Sequence, residues 1–126
     1  MGLVLAVAFG GGIGAVTRHY VIAFVNRLMG GDFPYGTMVV NIAGSFVIGF
    51  LMEIMALKWQ VSLETRAFLI TGFLGGLTTF STFSFDIYKL VNTDQYVGAL
   101  LYMIGSVSIS LTALFGAVLL VRRMYP

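Results

Sequence analysis

The sequence predicts an all-α integral membrane protein of four transmembrane helices, the third broken near Gly75–Thr79, forming a single transmembrane domain over residues 1–126. Three observations predict it. Of the residues, 59% are hydrophobic and only 10% charged, against about 25% charged in an ordinary soluble domain. Seven Lys/Arg and five Asp/Glu cannot build a water-facing surface, which excludes a soluble monomer. Four apolar runs also approach or exceed the roughly 20 residues a spanning helix needs, and short polar segments separate them.

The first run, about residues 3–25, is interrupted by Arg18 and His19. Its head has no Lys or Arg and it stays apolar to Val25, so it reads as a retained helix rather than a signal peptide. The second, about 36–57, contains Asn41 and Glu53; the third runs from about 65 to 90 and the fourth from about 96 to 121. The connections are Asn26 to Tyr35, with Gly30, Gly31 and Pro34, then Lys58 to Glu64, then Asn92 to Gln95. Such short links make neighbouring helices antiparallel and place both termini on one side. Lys58, Arg66, Arg122 and Arg123 fall on that side, Arg27 and Lys89 on the other. This is a weak orienting bias under the positive-inside rule. Most of the basic residues stand singly at run ends rather than in a patch, so no nucleic-acid partner is expected. Without cysteine there are no disulfides, thiolate metal sites or cysteine nucleophiles. No metal-spaced His/Asp/Glu cluster or nucleophile–base pair is apparent, so no enzymatic activity is expected.

Polar residues inside spans are costly and tend to face the bundle interior or a wet pathway. In the second span Thr37, Asn41, Ser45, Gly49 and Glu53 recur at steps of four; in the fourth, Gly98, Tyr102, Ser106 and Ser110 do the same. At 3.6 residues per turn each row winds slowly around its helix. Small and hydroxylic residues also serve close helix packing, and both readings stand for these stripes. Asn41 points more firmly to a functional role, because a primary amide needs several partners at membrane depth.

The third span reads Gly72-Phe73-Leu74-Gly75-Gly76-Leu77-Thr78-Thr79-Phe80-Ser81-Thr82-Phe83-Ser84-Phe85-Asp86. Paired glycines followed by paired threonines make poor helix. Either the helix breaks, exposing carbonyls and a half-helix N-terminus that attract ions, or Gly72 and Gly76 form a packing notch in an intact helix. Asn41, Ser81, Thr82, Ser106 and Ser110 supply amide and hydroxyl hydrogens without fixed charge, which suits an anion. Phe80 and Phe83 share a helix face, and an aromatic edge is electropositive. Arg18 either concentrates anions at a pore mouth or snorkels to the interface; His19 reads as interfacial. Asp86 is the better candidate for a functional acid than Glu53, which lies near its helix end, though a hydrogen-bonding role suits Asp86 equally.

These residues resemble the Fluc family of bacterial fluoride channels over nearly the whole chain. The motifs are Gly11-x-x-Gly14-Ala15-x-x-Arg18 in the first helix, Pro34-x-Gly36-Thr37-x-x-x-Asn41-x-x-Gly44-Ser45 in the second, and the third-span run quoted above through Ser84. Members often carry Glu where this chain has Asp86. The resemblance implies an antiparallel, dual-topology homodimer with two pores along the subunit interface, in the bacterial inner membrane, passively exporting fluoride from the cytoplasm. It implies Asn41 as a fluoride ligand, Phe80 and Phe83 as ring-edge contacts, and Tyr102, Ser106 and Ser110 as a polar track facing Ser81 and Thr82. Arg18 would sit near the vestibule, and Asp86 is a possible pore acid. The backbone carbonyls of Gly75 and Thr78 would hold a structural sodium ion at the dimer centre. Two rivals are a proton-coupled small multidrug exporter, which would need an acid in the first helix that this chain lacks, and a non-transporting accessory subunit.

Overall fold

The computed structural model describes residues 1–126 as helices joined by short links. They are α1 (Gly2–Met29), α2 (Tyr35–Leu57), α3 (Leu63–Arg66), a π-helical stretch (Ala67–Leu74), α4 (Gly75–Leu77), α5 (Ser81–Asn92) and α6 (Tyr96–Met124). Four helical segments are long and apolar enough to cross a membrane, the third running from Leu63 to Asn92 through the π stretch and the break. Four long apolar helices, as expected, are thus present, and they run a few residues beyond the apolar runs.

The first link turns at Gly30 and Gly31, whose φ values of 67° and 73° favour residues without a Cβ. The Asn26 side chain then accepts the Gly36 N–H at 2.8 Å, fastening the end of α1 to the start of α2. Ser62 caps α3 by accepting the Thr65 N–H at 3.1 Å. The third link turns at Asp94, the one non-glycine residue with positive φ.

Glycine sets how closely α1 meets the third span. A Cβ on Gly10 would lie 2.5 Å from the Phe68 carbonyl, and one on Gly76 would lie 2.5 Å from the Gly11 carbonyl. Gly14 faces the Phe73 carbonyl more tightly still. These pairs, 10 with 68–72 and 14 with 73–77, increase together, so α1 and the third span run parallel. The glycines therefore do form a packing notch, but the helix carrying it is not intact. Its backbone is widened into a π helix over Ala67–Leu74, a feature frequent at functional sites, and it ends at Leu77.

Thr78 turns extended, with φ −82° and ψ 157°, and the chain restarts as α5. The break also transfers the chain between partners: the π stretch packs on α1, whereas α5 packs on α6 and touches α2. Helix α2 lies parallel to α6, with Gly49 against the Leu114 backbone and Glu53 bonded to Arg122. The buried cluster of Phe83, Leu90, Ala99 and Tyr102 sits where α5 meets α6. Only 19 of 126 residues are buried, so most of the apolar surface requires lipid or another chain to cover it.

Candidate functional site

Both sides of the break are held by side chains from other helices. The Thr79 N–H donates to Asn41 Oδ1 at 2.8 Å, and Asn41 Nδ2 donates back to the Thr79 carbonyl at 3.0 Å. One primary amide thus replaces two of the backbone bonds that helix three forfeits. Thr79 Oγ1 accepts the Thr82 N–H at 3.1 Å, satisfying a first-turn donor of α5 from just ahead of the helix. A helical Thr79 N–H would have served the Gly75 carbonyl, and a helical Thr82 N–H the Thr78 carbonyl. Both carbonyls are therefore deprived of their helical donors. Arg18 donates to the Thr78 carbonyl at 3.2 Å, so its guanidinium is tied to the third span. It braces the break.

Alongside the break, an open groove of about 360 Å³ lies among α2, α5 and α6. Its walls bring together Asn41, Thr79, Phe80, Phe83, Ser106 and Ser110, and no charged side chain lines it. The hydroxyls of Ser106 and Ser110 are buried yet have no hydrogen-bond partner. Serine in a helix can bond its own preceding turn, so two neighbouring hydroxyls left unpaired in a shared groove are notable. An unsatisfied buried hydroxyl costs about 1–3 kcal/mol, a cost that a hydrogen-bonding guest would remove. Asn41 retains a second amide hydrogen for the same purpose.

The two phenylalanines differ sharply. Their centroids are 5.5 Å apart, but Phe83 is 6% exposed and packs 5.1 Å from Tyr102, whereas Phe80 is 77% exposed. Tyr102 is fully buried, and its hydroxyl turns away from the groove to donate to Asp86 Oδ2 at 3.2 Å. Ser81 and Thr82 also lie outside the groove walls, with the Ser81 hydroxyl 3.3 Å from that of Thr79. In one chain the structure therefore gathers Asn41, Phe80, Phe83, Ser106 and Ser110, but not Tyr102, Ser81 or Thr82.

Asp86 is buried in a network of its own. Oδ2 also accepts from the Thr37 hydroxyl at 2.7 Å, and Oδ1 pairs with Lys89 Nζ at 3.1 Å. Through these contacts Asp86 ties α2, α5 and α6 together. Glu53 pairs with Arg122 Nε at 2.7 Å. The stripes of α2 and α6 meet through Thr37, Asp86 and Tyr102 at one end and through Asn41, Ser45, Ser106 and Ser110 in the groove. Thr79 and Ser45 enter the groove without having been singled out as site residues; Ser45 was visible in its stripe, while Thr79 was hidden among consecutive hydroxyls.

No cluster of three or more acidic or histidine side chains is placed to hold a metal. The Gly75 and Thr78 carbonyls are among the backbone oxygens freed at the break, and carbonyl oxygen suits a hard cation. Thr78 already accepts one bond from Arg18, leaving its second lone pair.

A family described as CrcB-like protein, Camphor Resistance (CrcB), matches residues 5–118. A protein of Rhizobium johnstonii named fluoride-specific ion channel FluC is 46% identical over 120 residues, covering 95% of this chain and 96% of the relative. Proteins with the same name in Rhizobium meliloti and Agrobacterium fabrum are each 44% identical; they cover 98% and 94% of this chain and 99% and 95% of their own lengths.

Proposed function

The chain belongs to the CrcB-like family, a multi-pass membrane family that includes the fluoride-specific channels, and from that premise we propose that it is itself a fluoride channel rather than an enzyme. The observation that supports this reading most is the pair of partnerless serine hydroxyls beside Asn41 in an uncharged groove.

Fluoride is small and firmly hydrated, so a conducting path must replace its water shell with donors. The Asn41 amide and the hydroxyls of Ser106 and Ser110 offer hydrogens, and Phe80 and Phe83 offer ring edges. None carries a full charge. Binding can therefore compensate dehydration without becoming too tight for exit. Chloride, being larger, gains less from each contact in a path sized for the smaller ion. The groove is open along one side, and Phe80 projects from it. A second copy in antiparallel orientation would close it and create two equivalent paths, with Ser81, Thr82 and Tyr102 of either copy completing the walls. In this arrangement the Gly75 and Thr78 carbonyls of both copies would hold sodium, which would supply a fixed positive charge between the paths. Arg18 would stand behind the same carbonyls. Export through the bacterial inner membrane would be passive.

Proton-coupled export of organic cations is less well supported. Helix α1 has no acid, and Glu53 and Asp86 are both engaged by basic side chains. Purified protein in fluoride-loaded liposomes is expected to release fluoride without a proton gradient, as read by a fluoride electrode. Preparations washed free of sodium are expected to lose activity and dimeric elution together. Silence of the sodium-containing liposomes would overturn the channel reading; indifference to sodium would remove Gly75 and Thr78 from the ion site.

The exposed and buried rings separate conduction from packing. Phe80→Ile should slow fluoride about tenfold or more while leaving thermal stability unchanged within about 0.5 kcal/mol, because the ring touches little within its own chain. Phe83→Ile removes a ring packed on Tyr102 and should cost about 1–2 kcal/mol of stability as well. Full flux in the Phe80 variant would count against a ring-edge contact.

A further inference from the structure

A second cavity, about 390 Å³, lies at the end of α5 and is lined by Asp32, Asp86, Lys89, Asn92, Thr93 and Gln95 among others. It carries charged side chains, and the groove carries none. Two buried rings link it to the groove: Phe83 lines the groove and packs at a tilt on Tyr102, and the Tyr102 hydroxyl reaches Asp86, which lines the cavity. Resting on the channel reading above, we propose that this cavity is an aqueous mouth of the anion path and that Lys89 is the residue that keeps it permissive to anions.

The charges carry the argument. Asp32 and Asp86 both line the cavity, and Lys89 is the one cation that does. An anion approaching these two carboxylates meets repulsion that Lys89 alone offsets locally. Two independent contacts hold the lysine in place: Nζ lies 3.1 Å from Asp86 Oδ1 and 5.0 Å from the centre of the Phe85 ring. Its side chain is 57% exposed while that of Asp86 is 5% exposed. The cation is therefore presented to water and the carboxylate is kept behind it. Because the carboxylate is buried, removing its cation also costs stability, but the Thr37 and Tyr102 hydroxyls still hold it, and the exposed end of the lysine, at a cavity beside the groove, is placed for a second role. Focused charge at a mouth changes local ion concentration and entry rate rather than fold.

The test is fluoride efflux from liposomes at fluoride well below saturation and at low ionic strength, where entry limits the rate. Lys89→Gln is expected to reduce flux about tenfold, and Lys89→Arg to retain it. Raising ionic strength should bring the Gln variant back towards wild type, because exposed charges are screened over about a Debye length. The double variant Asp32→Asn, Lys89→Gln restores the cavity's formal charge and should recover most of the lost flux. Undiminished flux in Lys89→Gln would overturn the proposal. So would a loss that neither salt nor the second substitution repairs, since that would mark a packing role. Wild-type liposomes in the same experiment distinguish the two levels: if they do not conduct, the channel reading itself fails, whereas conducting wild type with an indifferent Lys89 variant removes only this inference.

Discussion

Asn41→Asp is expected to abolish fluoride flux, lowering it by at least about a hundredfold. The asparagine both donates to and accepts from the Thr79 backbone. An aspartate can still accept the Thr79 N–H, but its other oxygen would face the Thr79 carbonyl, turning a hydrogen bond into a contact between two acceptors. The remaining amide hydrogen, available to a guest in the groove, also becomes a negative charge. A carboxylate in the groove repels the passing anion, and a barrier higher by about 3 kcal/mol slows passage roughly a hundredfold. Loss of the backbone bond adds about 1–3 kcal/mol of destabilisation. Efflux and thermal unfolding measured on the same preparation check both parts. Flux at the wild-type rate would show that Asn41 only splints the break.

The largest effect on stability is expected at Gly14. A Cβ there would overlap the Phe73 carbonyl oxygen and lie 3.0 Å from the Leu77 nitrogen. Both are backbone atoms of the third span, which cannot rotate away as a side-chain tip can. Gly14→Ala should therefore push α1 off the π stretch and α4, costing about 3 kcal/mol or more. In detergent this would read as loss of a monodisperse peak and early melting. Gly12→Ala is the matched control: nothing lies within 4 Å of its added Cβ, and alanine is the better helix former by about 1 kcal/mol. Equal behaviour of the two variants would refute the close α1 packing.

Hydrophobic run length made the four spans legible, and Gly75-Gly76-Leu77-Thr78-Thr79 made the break legible, because both rest on local chemistry. The π stretch was not. Ala67-Phe68-Leu69-Ile70-Thr71-Gly72-Phe73-Leu74 reads like any apolar helix, and no local signal separates its widened turns from ordinary ones. The candidate site was half legible. Asn41, Phe80, Phe83, Ser106 and Ser110 could be selected by type and spacing, and the groove does bring them together. What spacing could not reveal is where a long side chain ends. Tyr102 belongs to the same stripe as the two serines, but its hydroxyl reaches across to Asp86. Arg18 and Thr78 are sixty positions apart, so only the parallel pairing of α1 with the third span brings them into contact. Asn41 drew attention as a polar group needing partners; that those partners are the N–H and carbonyl of Thr79 follows from the tertiary structure alone.

The openness of the groove has a consequence for biogenesis. If pairing closes the groove as proposed, a lone copy offers a passing ion donors on one side and hydrocarbon on the other, so newly inserted chains would be electrically silent. Conductance would then rise with the square of chain density while copies are scarce. A cell would be spared leakage from unpaired intermediates without needing a plug or a chaperone to seal them.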